Sequence, residues 1–88
     1  MSLEITVYYD REETSLLSLI RELDDLDVAY DECRLEDVPD AIRDRLMSEG
    51  NGRFVSPTVS INGEVLVAPT AANVMSAIMH ARSAGFYQ

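Results

Sequence analysis

Few side chains in these 88 residues can do covalent chemistry. There is one cysteine, Cys33, and one histidine, His80. A single cysteine excludes an intrachain disulfide and a cysteine-built zinc cluster. His80 sits in a helical stretch with no second histidine or cysteine nearby, so it has neither a nucleophile to activate nor a ligand set to join. Cys33 falls in a strand-like run and reads as a small buried or half-buried hydrophobe, the usual place for a free cysteine; the sharper alternative is a displaced nucleophile. Thr14 and Ser15 follow Glu12 and Glu13 at the head of a helical pattern. Hydroxyls there are common helix caps. The clusters Asp24-Asp25-Asp27 and Asp31-Glu32 lack the spacing and central glycine of a calcium loop. No metal and no cofactor is expected.

Charge narrows the partners. Sixteen acidic residues stand against seven basic ones, all arginine, for a net charge of −9. Nucleic acids and anionic membranes bind through basic patches, so neither is an expected partner. The acidity fits solubility, genome composition or salt adaptation, and more sharply a basic protein or extended peptide. No stretch approaches the roughly 20 apolar residues of a membrane span. The opening Met1-Ser2-Leu3-Glu4 lacks the basic and apolar regions of a leader. The expectation is a cytoplasmic protein whose residues 1–88 form one domain, its 47% hydrophobic content sufficient for a core without staples.

The elements that must carry these residues follow from periodicity and punctuation. Ile5 to Tyr9 is β-branched and aromatic without a breaker, a buried strand. Leu16, Leu19, Ile20 and Leu23 recur at helical spacing, predicting a helix to about Asp25. Val28 to Leu35 predicts a second strand. Asp37 and Pro39 mark a helix start, with proline in the first turn. Ala41, Ile42, Leu46 and Met47 form its inner face, and Gly50 its stop. Phe54 to Ile61 predicts a third strand, interrupted by Pro57. Asn62-Gly63 is a strong hairpin signal, returning the chain along Glu64 to Val67. Thr70 can cap a last helix with Val74, Met75 and Ile78 inward, ending near Gly85. The order β-α-β-α-β-β-α predicts an α/β fold, a four-stranded mixed sheet with helices on both faces.

Several segments tie that order to a family. Ile5–Tyr9 resembles the "V-Y-T" opening strand of glutaredoxins, and the interval from Tyr8 to Val28-Ala29-Tyr30 is similar to theirs without a gap. Gly50-Asn51-Gly52-Arg53-Phe54-Val55-Ser56-Pro57-Thr58-Val59 is similar to "G-G-N-x-T-V-P-T-V". Asn62 to Thr70 is similar to the "D-G-x-x-L-T-N-P-S" of the actinobacterial mycoredoxin-like branch. The resemblance implies a thioredoxin-like, glutaredoxin-type fold with Pro57 as its cis proline beside the active site. In the same register the family's "C-P-Y-C" falls on Glu13-Thr14-Ser15-Leu16, so both cysteine positions are vacant. Val67-Ala68-Pro69-Thr70-Ala71 replaces the Gly-Gly-x-Asp-Asp with which relatives hold glutathione.

Those departures set the functional expectation. Disulfide exchange needs a thiolate, which the family stabilises at a helix N-terminus. Glu13 there is expected to satisfy the helix end and to repel the carboxylates of a small thiol such as glutathione, and neither glutathione nor mycothiol is an expected ligand. What remains is a groove beside Pro57, bounded by Asp10, Glu13, Thr14, Ser15, Ser56, Pro57 and Thr70. The first reading is a redox-inactive binding or accessory module that takes an extended, basic segment by strand-like pairing at Ser56. The second is a residual thiol-dependent transferase or monothiol reductase using Ser15 or Cys33.

Overall fold

The structure, a computed structural model, describes the backbone of residues 3–86 and the side chains of residues 3–81. Eight short segments follow in order: β1 (Ile5–Tyr9), α1 (Thr14–Asp25), β2 (Asp31–Arg34), a 3-10 turn (Leu35–Asp37), α2 (Asp40–Glu49), β3 (Thr58–Ile61), β4 (Glu64–Val67) and α3 (Ala71–Phe86). The strands form one mixed sheet in the order β2-β1-β3-β4. β1 runs parallel to β2 and antiparallel to β3, and β3 and β4 form a hairpin. The predicted α/β class and the four-stranded mixed sheet are what the chain adopts.

Alternation along the central strands decides where the core sits. Ile5 and Val7 of β1 and Val59 and Ile61 of β3 point to one face, where they are buried with Leu16, Leu19 and Leu23 of α1 and Val74 and Ile78 of α3. Leu46 of α2 and Val38 are also buried but lie outside that cluster, because α2 packs on the opposite face. This second layer is thinner. Ile42, expected on the inner face of α2, is 41% exposed, and Ala41 is exposed too.

Several predicted boundaries move, each for a local reason. The second strand does not begin at Val28. Asp27 takes a left-handed conformation, φ +57°, to turn the chain out of α1, and the Val28 N–H donates to the Leu23 carbonyl at 3.1 Å. Pairing with β1 therefore starts only at Asp31, and Leu35 is drawn into the 3-10 turn. Asp37 lies in that turn and does not cap α2. Val38 is held extended ahead of proline, so Pro39 becomes the N-cap residue and not part of the first turn. Gly50 does end α2, but with φ −94°; glycine is needed because a Cβ there would run into the Arg53 carbonyl.

The third strand is likewise shorter than Phe54–Ile61. The Ser56–Pro57 peptide is cis, and ladder pairing begins at Thr58, whose buried hydroxyl donates to the Val55 carbonyl. Asn62 and Gly63 have φ of +51° and +89°, the positive pair of a type I′ turn. The turn is fastened to the start of β1: Asn62 donates its N–H to the Glu4 carbonyl at 2.9 Å, and its Oδ1 accepts from the Glu4 N–H at 2.8 Å.

α3 ends at Phe86, beside the expected stop near Gly85. Its start is a reciprocal cap. The Asn73 N–H donates to Thr70 Oγ1 at 3.2 Å, and the Thr70 N–H donates to Asn73 Oδ1 at 3.0 Å. Thr70→Ala removes one half of this pair and should lower the unfolding free energy by about 1 kcal/mol, read from urea unfolding at constant slope. Thr70→Ser should restore most of the loss.

Candidate functional site

The cis proline opens the site. Pro57 is buried, and with Ser56 it lines a cavity of about 390 Å³ between one face of α1 and the entry to α3. One wall is a stripe on α1, Ser15, Ser18, Leu19 and Glu22, at the spacing that puts side chains on one helical face. The other is the entry to α3, with Ala68, Pro69, Thr70 and Ala71. Ala68 holds that entry in place: its φ is +47°, and its N–H donates to the Pro57 carbonyl at 2.9 Å.

Ser56 carries unused hydrogen-bonding groups. Among the described residues neither its N–H nor its carbonyl takes part in a turn, loop or ladder hydrogen bond. Its hydroxyl oxygen is shut away from solvent and also without a partner. Backbone N–H and carbonyl groups are paired in the great majority of cases, so the unpaired backbone of Ser56 at a groove marks a place where a ligand could complete the pairing.

The expected groove residues separate in space. Ser15, Ser56, Pro57 and Thr70 line one cavity. Asp10 is not with them: it borders a different hollow with Leu35, Glu36, Arg43 and Met47. Glu13 and Thr14 are not among the lining residues either. Glu13 is the N-cap residue of α1, yet its carboxylate makes no capping hydrogen bond; it pairs with Arg11 Nε at 3.0 Å. Thr14 and Ser15 are the first residues inside the helix and cap nothing. Leu16, at the second vacant cysteine position, is buried in the core at 2% exposure.

Sequence reasoning missed Ser18 and Glu22. The signal was present, since both repeat on the face that starts at Ser15, between the buried positions Leu16, Leu19 and Leu23.

Cys33 lies half-buried on β2, opposite Tyr8 of β1 and outside the groove lining. Its thiol points to the Arg34 carbonyl at 3.6 Å. The Arg34 guanidinium lies over the Tyr9 ring, 5.8 Å from its centre, and pairs with Glu36 at 3.4 Å. His80 is exposed on α3, along a shallow hollow beside β4. Among the described residues no group of three potential ligands is close enough to hold a metal, and no helix is long and apolar enough to cross a membrane.

A mixed sheet of order β2-β1-β3-β4, with two helices on one face, one on the other, and a cis proline leading into β3, defines a thioredoxin-like fold. Comparison with solved structures agrees. The thioredoxin-like protein BC3987 is 30% identical to this chain over a match covering 73% of this chain and 85% of that one, with a TM-score of 0.56. A point mutant of BC3987 matches at the same identity and TM-score, with 84% of its chain covered. No family model and no curated protein matches. The chain belongs to the thioredoxin-like proteins. With one cysteine in the whole sequence it has no Cys-x-x-Cys pair.

Proposed function

We propose that this protein is a glutaredoxin-like module, nearest the mycoredoxin-like branch, that has given up disulfide exchange and holds an extended peptide segment in the groove beside Pro57. The observation that carries the reading is Ser56, whose backbone N–H and carbonyl are without a partner beside the groove. An extended segment supplies an amide and a carbonyl at the right spacing to pair with such a residue, as in strand addition. Glu22 is the one charged residue of the lining, so a cation on the segment faces it and an anion is disfavoured. Glutathione, with its two carboxylates, loses on that count, and exchange with any small thiol lacks a thiolate at Glu13.

The second reading, a thiol-linked enzyme, draws on the Ser15 hydroxyl at the same cavity. Amide chemical shifts separate the two. Titration with an extended basic peptide should move Ser15, Ser18 and Val55–Thr58, while glutathione and mycothiol leave them still. Cys33 should react slowly with a thiol reagent at neutral pH, and the protein should not turn over a mixed disulfide of either thiol. Shifts with the thiols and measurable turnover would replace the binding module by the enzyme.

A further inference from the structure

The acidity is not spread over the molecule. Residues 22–44 hold ten of the sixteen carboxylates and two of the seven arginines, which accounts for −8 of the net −9. All ten carboxylates are exposed. In sequence they bracket β2, which is an outer strand of the sheet and has β1 as its single neighbour. The chain reaches β2 from Asp24, Asp25 and Asp27 at the end of α1, and leaves it through Glu36 and Asp37 into α2. On the strand itself Asp31 and Glu32 point to opposite faces, so the free backbone edge is flanked by negative charge on both sides.

We propose that this edge is a docking strand for an extended, lysine- or arginine-rich segment of a partner protein. The partner's backbone takes up the outward N–H and C=O groups of Asp31–Arg34, and its cations meet the flanking carboxylates.

Three features favour this over an acidity that serves only folding or solubility. Asp24 and Asp25 stand in the last turn of α1, which carries no basic residue, and there the helix dipole opposes them. Asp31 and Glu32 occupy a strand, where acidic residues are disfavoured. A guard against edge-to-edge aggregation would be wanted at both sheet edges, yet β4 carries one carboxylate, Glu64, beside Val65, Leu66 and Val67. Little of the charge is neutralised internally. Arg34–Glu36 at 3.4 Å and Arg43–Asp40 at 4.0 Å are the ion pairs of this region among the described residues. The Tyr30 hydroxyl donates to Asp24 at 2.8 Å, and its pKa is pushed up to about 12 by desolvation, by that hydrogen bond and by the charges of Asp24 and Glu32. A second copy of this chain is the wrong occupant, since it would bring the same charge to the same edge.

The site is distinct from the groove at Pro57, whose lining holds Glu22 alone of these ten. The test uses the whole protein and a nine-residue peptide alternating lysine and valine. In low salt the peptide should slow amide exchange at Asp31–Arg34 and move the shifts of those residues, apart from any change at the groove. A version N-methylated along the edge-facing amides keeps the charge but cannot add a strand, and should bind at least ten-fold more weakly. The fourfold variant D31N/E32Q/E36Q/D37N changes only exposed groups and should lose at least ten-fold in affinity with an otherwise unchanged spectrum. Equal binding of the methylated peptide would reduce the edge to diffuse attraction and overturn the proposal. So would shift changes confined to the groove at Ser56 with none at Asp31–Arg34, or self-association of the protein alone through β2 in sedimentation.

Discussion

Leu23→Ala is expected to lower the unfolding free energy by about 3 kcal/mol, the middle of the range for a leucine truncated in a close-packed core. Leu23 has no exposed surface and packs among residues of β1, β3 and α3 at the centre of the larger layer. A domain of this size has about 5–15 kcal/mol of stability in all, so the loss should bring the melting temperature down by on the order of 15 °C. Ile42→Ala, the same kind of truncation on α2, should cost less than about 0.5 kcal/mol because that side chain is already 41% in water. Urea unfolding of both variants at constant slope checks the contrast. Equal costs would mean that the two layers are packed alike, contrary to the burial described above.

That contrast also marks what the sequence could and could not reveal. The unbroken β-branched and aromatic run Ile5–Tyr9 and the period-3.6 spacing in Leu16–Leu23 report burial directly, because each has a thick layer to pack into. The Asn62-Gly63 turn and the Thr70 cap were legible because their geometry is set by the two or three residues involved. α2 was harder. Ile42 has the spacing of an inner residue, but the layer it faces is thin, and periodicity cannot count what lies opposite.

The site divides along the same line. Proximity in sequence to the vacant cysteine positions put Asp10, Glu13 and Thr14 with Ser15, and the structure sends them elsewhere. Asp10 leaves β1 on the side of α2, and Glu13 turns to the cation two residues before it, Arg11. Ser18 and Glu22 join the groove because α1 presents a whole stripe to it, a consequence of how the helix is rotated on the sheet. That rotation is set by Leu16, Leu19 and Leu23 burying themselves, so the information was in the sequence as the complement of the apolar face. The concentration of charge around β2 was likewise countable from the sequence. It became an edge only when β2 took its place outside β1 in the sheet.

Glu13→Cys, made with Cys33→Ser so that the protein has one thiol, is expected to give a cysteine far more reactive than Cys33. Glu13 has extended backbone, φ −120° and ψ 165°, and its carbonyl accepts from the Leu17 N–H at 3.0 Å, so it stands at the N-cap of α1. A thiol there meets the open N–H groups of the first turn and the positive end of the helix dipole, which favour the thiolate. Arg11, now paired with the Glu13 carboxylate, would add a second cation. Together these should bring the thiol pKa from about 8.5 into the range of roughly 6–7. Alkylation at pH 6 should then run at least ten-fold faster than for Cys33 in the parent, after allowing for the lower intrinsic nucleophilicity of a more acidic thiol. Arg11→Gln in the same background separates the two causes, and should return part of the shift and leave the helix contribution. Fold stability should barely change in Glu13→Cys, since the ion pair that substitution removes is exposed and such pairs are worth about 0–1 kcal/mol. Leu16→Cys is a different matter. Leu16 belongs to the core, so a sulfur at the second position would come with a cavity and a loss of about 1–3 kcal/mol. An ordinary thiol pKa in Glu13→Cys would show that this residue does not sit in the field of α1. A depressed one would show that the helix still offers the electrostatics of thiolate chemistry, and that the side chain at Glu13 withholds it.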